Sequence, residues 1–375
     1  MRILFTFSGG NGHFQPLVPL ARAAVEAGHE VAVTGRPKVM PMVRSAGFTG
    51  FPSGGDGRTI TEIVALEALD LDREERAFRN GFAGRMARER AADVTILCQD
   101  WQPDLLICDE TDFGAMIAAV KLGLPHATVI TLAAGSFVRP DLIGDTLDAV
   151  RAEYGLPPDP QLRMVSEHAV LVPFPPGYRD PAFALPSDAL FFRPATAAVS
   201  TADTARPLVY LTLGTIFNVE SGDLFPRAIA AASSLPVDVI VTTGADLDPA
   251  ALGAYPANVE AHRYVDQAEL LSRCQAVISH AGSGSVLGAL AHGVPMVLLP
   301  MGADQPSNAH RCHDLGAAIV LDALTVTPGA IAAALNEVLT RPSYRDSARA
   351  MAAAFAALPE ASSVLPRLED LLKLR

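Results

Sequence analysis

The chain has 375 residues, too many for one ordinary core and enough for two domains. Half of them are hydrophobic and only 19% are charged, which excludes a disordered chain and supplies ample apolar material to bury. A net charge of −12 argues against a nucleic-acid partner, which selects a basic face, so any bound anion must be held by local geometry.

Arg2 to Phe7 reads as a strand and Ser8 to His13 as a glycine-rich turn. Leu17, Leu20, Ala21 and Val25 then recur at helical spacing, with Pro16 and Pro19 tolerable near the helix start. Gly28 stops this helix and Val31 to Val33 begins a second strand, a βαβ unit that predicts a parallel sheet. Gly10 and Gly12 suggest a dinucleotide fingerprint, but Gln15 stands where its third glycine is needed. His13 follows the first strand and so faces the crevice where open sheets bind ligands; an exposed or capping histidine is the alternative.

Residues 53–92 read as mostly helical and highly charged. Phe78, Phe82 and Met86 share one helical stripe there, which either packs on the domain or in part lines an apolar pocket. Leu105 to Cys108 is a buried-strand run that ends at Asp109, Glu110, Thr111 and Asp112, again at the ligand edge of a sheet. Gly114 to Leu122 reads as helix and Ala127 to Leu132 as strand. Residues 140–194 look proline-rich and irregular, with Leu171-Val172-Pro173 their clearest strand fragment.

Residues 193–207 are small, polar and punctuated by prolines, which reads as an interdomain linker. A second series follows: a strand from Leu208 to Leu213, a turn at Gly214-Thr215 and a strand from Val237 to Val241. Ala276-Val277-Ile278 ends another strand, Ser279 to Ser285 is rich in small residues, and Val286 to Ala291 opens a helix that Gly293 and Pro295 stop. Strand, glycine bend and helix N-terminus make a cradle for an anion, because free N–H groups and the helix dipole point outward. His280 at its lip adds a donor that can carry positive charge, so the stretch reads as a diphosphate site or as an ordinary βα turn. Two Asp-Leu-Asp strings, at 70–72 and 246–248, follow no strand and read as solvated loops rather than metal ligands. The four cysteines form no C-x-x-C pair and suit buried free thiols, and no signal segment or membrane-length apolar run is visible. A cytoplasmic protein is expected.

Tyr264-Val265-Asp266-Gln267, His280-Ala281-Gly282-Ser283-Gly284-Ser285, Gly293-Val294-Pro295, and Asp304-Gln305 with Asn308 share one spacing. It resembles the donor-binding signature of family 1 glycosyltransferases, the group that contains plant secondary-metabolite and bacterial antibiotic glycosyltransferases. The resemblance implies an α/β GT-B fold, two Rossmann-like doubly wound domains facing a central cleft. It assigns 1–192 to acceptor binding, 193–207 to the linker, 208–355 to the nucleotide-sugar donor, and 356–375 to a C-terminal helix on the N-terminal domain. It implies His13 as general base, with Gly12 beside it as a donor-binding residue, and Asp109 as the carboxylate that holds the histidine, Asp112 being the fallback. His280 with Gly282, Ser283, Gly284 and Ser285 would hold the diphosphate, closed over by Gly214 and Thr215. Tyr264 would lie against the nucleobase, Val265 would read its edge, Gln267 would stand near the ribose, and Asp304 and Gln305 would bind sugar hydroxyls. Phe78, Phe82 and Met86 lie in the region that helps to choose the acceptor.

The resemblance further implies an inverting transfer from a nucleotide diphosphate sugar to a small hydrophobic natural product, without an essential metal or other cofactor. In plant members a glutamate at the position of Gly288 holds the ribose hydroxyls; its absence here favours a dTDP-sugar over a UDP-sugar. Two other readings share the cradle: a 2-epimerase, which releases free nucleotide without an acceptor, and a non-catalytic nucleotide-sugar-binding auxiliary protein.

Overall fold

Ile3 and Phe5 face one side of a parallel sheet and Leu4 the other, the period-two alternation of a strand buried on both faces. The computed structural model describes residues 1–56, 63–194, 206–215, 217–245 and 247–374. Most of the expected linker, 195–205, and Asp246 of the second Asp-Leu-Asp string lie outside the described residues. The chain forms two units: Met1–Arg58, Leu71–Ala195 and Leu358–Arg375 in the first, Thr59–Asp70 and Thr196–Ala357 in the second.

The first unit carries β1 (Arg2–Thr6), β2 (Glu30–Gly35), β3 (Thr49–Pro52), β4 (Leu105–Asp109), β5 (His126–Val129), β6 (Ala169–Val172) and β7 (Leu190–Phe191). They pair in parallel in the order β3-β2-β1-β4-β5-β6-β7. One core lies between the sheet and the helix Val18–Glu26, and Val364, Leu365, Leu368 and Leu371 of the C-terminal stretch join it. The other core gathers Leu4, Leu106 and Cys108 with Phe113 and Met116 of the helix Phe113–Leu122. Val25, expected inside, is 49% exposed, because Leu20, Ala21 and Ala24 already define the buried stripe of its helix.

Two further expectations are corrected. Residues 140–194 are not wholly irregular: Pro140–Glu153 is a 14-residue helix. Pro140 sits in its first turn, where no intrahelical N–H is needed, and Ile143, Leu147 and Val150 turn inward. Among the described residues, the helical region after Ser53 begins only at Leu71, with a helix to Phe78, a π-helix over Arg79–Met86 and a helix Ala87–Trp101. Before it, Val64 N–H donates to Val219 O at 2.7 Å and Gly222 N–H to Val64 O at 3.0 Å. Ile63 and Leu66 thereby pack against the core of the second unit.

The second unit carries β8 (Leu208–Thr212), β9 (Asp238–Thr242), β10 (Val259–His262), β11 (Ala276–Ser279), β12 (Met296–Leu298) and β13 (Ala318–Val320). Their order is β10-β9-β8-β11-β12-β13, again all parallel. Both are thus Rossmann-like sheets. All four cysteines are buried thiols outside any disulfide among the described residues. Among the described residues no helix is long and apolar enough to cross a membrane.

Candidate active site

In each sheet the first and fourth strands lie side by side, β1 with β4 and β8 with β11, and the strand order reverses there. Loops leaving the carboxyl ends of such a pair diverge and open a crevice, the place where doubly wound sheets bind ligands. His13 with Asp109, and Gly214 with His280 and the Gly282 cradle, fall on these two switch points, one in each unit.

In the first unit His13 lies in the short helix Asn11–Phe14 just after β1, and Asp109 is the last residue of β4. His13 Nδ1 is 3.3 Å from Asp109 Oδ1. Asp109 is fully buried, so its charge must be balanced locally. Its Oδ2 accepts from Ser8 N–H at 2.9 Å, and its Oδ1 accepts from Thr111 N–H at 2.7 Å and Thr111 Oγ1 at 2.6 Å. Burial alone would raise the carboxyl's pKa, but His13, Thr111 and the Ser8 N–H outweigh it and hold the group below the usual carboxylate range. Thr111 Oγ1 also lies 3.2 Å from His13 Nδ1, so carboxylate, hydroxyl and imidazole form one cluster. Gly9 makes room for it, since a Cβ there would overlap the His13 ring.

Asp112 is taken by another partner. It accepts from Arg90 Nε at 2.7 Å and Arg90 Nη2 at 2.6 Å, both side chains are buried, and it caps the helix Phe113–Leu122. The structure therefore brings Asp109, not Asp112, to His13. Phe82, on the π-helix, stacks on His13 with centroids 5.7 Å apart and planes 24° apart. Phe78 is a core residue stacked between Phe82 and Phe137, and Met86 is buried beside Arg36. Of the stripe, Phe82 is the residue that stacks on the histidine. Gly12 leads into His13, and a Cβ on it would meet nothing within 4 Å.

In the second unit Ser283–Ala291 is a nine-residue helix with Gly282 as its N-cap, directly after β11. Ala281 holds φ at +67°, a strained conformation for a residue with a side chain, and Asn308 Nδ2 fixes its carbonyl at 3.1 Å. Ser283 Oγ donates to Asp304 Oδ2 at 2.7 Å, and Asn308 Nδ2 donates to the same oxygen at 2.8 Å. Gln305 is buried and its Oε1 accepts from Met301 N–H at 2.8 Å. Gly284 is exposed, with open space above its Cα, whereas Ser285 N–H is committed to Gly282 O at 2.9 Å. Ser285 thus does not offer the N–H expected of it, because the first helical turn has already used it.

His280 does not sit at a lip as a cation. It is buried, burial pushes its pKa down to about 4 against an opposing hydrogen bond to the Thr212 backbone, and the ring is neutral at pH 7. Gly214, at φ +80°, and Gly282 close on its ring: a Cβ on either would come within 2.5 Å of Nε2. The structure so gathers Gly214, His280 and Gly282, with Thr215 next in the turn. Tyr264 is 77% exposed, followed by Val265 and by Asp266, which caps the helix Gln267–Leu271 through Glu269 N–H at 3.0 Å. Gln267 Nε2 lies 3.5 Å from where a Cβ on Gly288 would stand. Sequence reasoning missed Ser8, Gly9 and Thr111 as the supports of Asp109, and nothing in their spacing marks them.

The family model described as "Erythromycin biosynthesis protein CIII-like, N-terminal domain" matches residues 22–146, and its C-terminal counterpart matches 227–371. Among similar proteins, erythronolide mycarosyltransferase of Saccharopolyspora erythraea is 27% identical, covering 100% of this chain and 99% of the relative. TDP-daunosamine transferase of Streptomyces peucetius is 28% identical over 99% of this chain and 97% of the relative. Among solved structures, glycosyltransferase VinC in complex with dTDP aligns with TM-score 0.76 and 25% identity, covering 100% of both chains. Spinosyn forosaminyltransferase aligns with TM-score 0.78 and 26% identity, covering 100% of this chain and 99% of that one. The two domain models span most of the chain, and the structural neighbours carry the same two parallel-sheet domains over its whole length; the chain is a glycosyltransferase enzyme of GT-B fold and belongs to the erythromycin CIII-like antibiotic glycosyltransferases of family 1.

Proposed function

We propose that the enzyme transfers a sugar, with inversion, from a dTDP-sugar to a hydroxyl of a small hydrophobic natural product. His13 is the general base. The observation that carries this reading is the His13–Asp109–Thr111 cluster at the switch point of the first sheet. Asp109 faces Nδ1 and leaves the Nε2 side of the ring toward the acceptor. As the acceptor oxygen attacks the anomeric carbon, its proton passes to His13 and the C–O bond to the diphosphate breaks. The electron pair leaves with the diphosphate. The buried carboxylate steadies the imidazolium that forms, a contribution of roughly 10²–10⁴-fold for a well-placed base.

In this reading the diphosphate rests on the N-terminus of the helix Ser283–Ala291, where helix dipole and backbone N–H groups supply the positive end without a metal. Neutral His280 shapes the cradle from beneath. Asp304, set by Ser283 and Asn308, and Gln305 face the sugar, and Tyr264 offers its exposed ring to the base. The relative named TDP-daunosamine transferase and the dTDP-bound neighbour support a thymidine donor.

The test is an acceptor screen with dTDP-glucose, scored for glycoside and for free dTDP, before and after exhaustive chelation. Glycoside that forms only with acceptor and survives chelation supports the reading. Free nucleotide without acceptor points to an epimerase-like enzyme, and a loss on chelation that magnesium or manganese restores overturns the metal-free mechanism.

A further inference from the structure

At the amino ends of β5 and β6, on the sheet edge opposite Asp109, two histidines meet. Ala127 pairs with Ala169, so the preceding residues, His126 and His168, are neighbours across the two strands. Their ring centroids are 5.0 Å apart and their planes are inclined at 71°. His126 is 1% exposed, and its Nε2 lies 2.6 Å from Met164 O. A carbonyl can only accept, so Nε2 carries the hydrogen and Nδ1 carries a lone pair. That Nδ1 is buried with no hydrogen-bond partner among the described residues, and so is Nδ1 of His168. An orphaned buried polar atom is costly in a native core. Two of them on adjacent rings point to something that both can bind.

Glu167 completes the set: one ligand atom from each of His126, Glu167 and His168 lies within 4.8 Å of the others. We propose that His126, His168 and Glu167 bind a zinc ion that pins β5 to β6, distinct from the catalytic edge of the sheet. Two imidazoles and a carboxylate suit zinc, with water as a fourth ligand. The Met164 carbonyl orients His126 from behind, as outer-shell acceptors commonly do for metal-bound histidines. Ligand atoms around a tetrahedral zinc stand about 3.3 Å apart. Half-buried His168 and exposed Glu167 have the freedom to close the remaining gap.

The experiment uses the full-length enzyme stripped of metal and titrated with Co²⁺, then with Zn²⁺. One equivalent of cobalt should give the visible bands of a tetrahedral site and be displaced by zinc. Zinc should raise the melting midpoint by about 3 °C or more at saturating concentration. His168→Ala, at a half-buried position outside the catalytic cluster, should abolish the bands and the shift, and Glu167→Gln should weaken both. Glycosyl transfer should be unchanged by His168→Ala. Absence of the bands in wild type, or the same bands and shift in His168→Ala, overturns the proposal; exposed histidines such as His310 would then be the binders.

Discussion

Replacing Asp109 by Asn exchanges an oxygen for an NH₂ group in a site built wholly of donors. Ser8 N–H, Thr111 N–H and Thr111 Oγ1 all donate to the carboxylate, and His13 faces it from the fourth side. Whichever way the amide turns, its NH₂ meets at least one buried donor, and an unsatisfied buried group costs about 1–3 kcal/mol. That corresponds to a fall of about 2–12 °C in the melting midpoint. Because His13 and its hydrogen bonds hold the Asp109 carboxyl below its ordinary range, the native contribution is intact at pH 7 and is lost only as pH falls through that lowered value. The loss in catalysis should be larger: without the charge the imidazolium is unsupported, and kcat should fall about 10²–10⁴-fold. Asp112→Asn is the comparison. It leaves the fully buried Arg90 without its counter-charge, a change that typically costs 3–5 kcal/mol, yet kcat of the folded fraction should stay near wild type. Both quantities are read from initial rates at a temperature well below the midpoints and from calorimetric melts. If Asp112→Asn gives the larger loss in kcat and Asp109→Asn only a stability loss, the assignment of the carboxylate is wrong.

Phe82→Ala removes the ring stacked on His13, a contact worth about 0.5–1.5 kcal/mol, so acceptor kcat/KM should fall up to about tenfold while donor KM holds; an unchanged acceptor kcat/KM refutes the role. His280 has a folded pKa near 4, below its unfolded value, so the unfolded state binds more protons as pH drops from about 6.5 to 4 and stability is lost over that window. His280→Gln should flatten this part of the midpoint-against-pH curve, and an unaltered slope would show that the ring is not buried neutral. Wild type should prefer dTDP-glucose to UDP-glucose by about tenfold in kcat/KM, since a charged partner for the ribose 2′-hydroxyl is worth roughly 1.5–3 kcal/mol. Gly288→Glu should shift that ratio toward UDP. A ratio that stays put in the folded variant would mean that Gln267, whose amide lies over Gly288, already serves the ribose.

The central strands β1, β4, β5 and β8 were legible because they are buried almost throughout and read as apolar runs, as in Leu105-Leu106-Ile107-Cys108, whereas the partly exposed β3, β7, β10 and β13 left no such run and were not read. Strand carboxyl ends put His13, Asp109 and the Gly282 cradle at the ligand edge of a sheet, and the family resemblance, not strand position, assigned their roles. What sequence could not show is what meets across long separations. Arg90 neutralises Asp112 from 22 residues away, and Thr111 reaches both Asp109 and a histidine 98 residues earlier. The π-helix is not marked by the local pattern, and it carries Phe82, the residue of the stripe that stacks on His13. The helix Pro140–Glu153 was hidden by the prolines around it, although Pro140 is its natural first residue. Charge state was the other blind spot: His280 looked cationic beside a phosphate cradle, and burial makes it neutral.

The most direct test of the account is the single-turnover rate of glycoside formation at saturating dTDP-sugar for wild type and His13→Ala. The account predicts a fall of about 10²–10⁴-fold with dTDP affinity nearly unchanged. A variant that keeps more than roughly a tenth of the wild-type rate, with chemistry limiting, would contradict it, because a general base of that strength cannot be removed so cheaply.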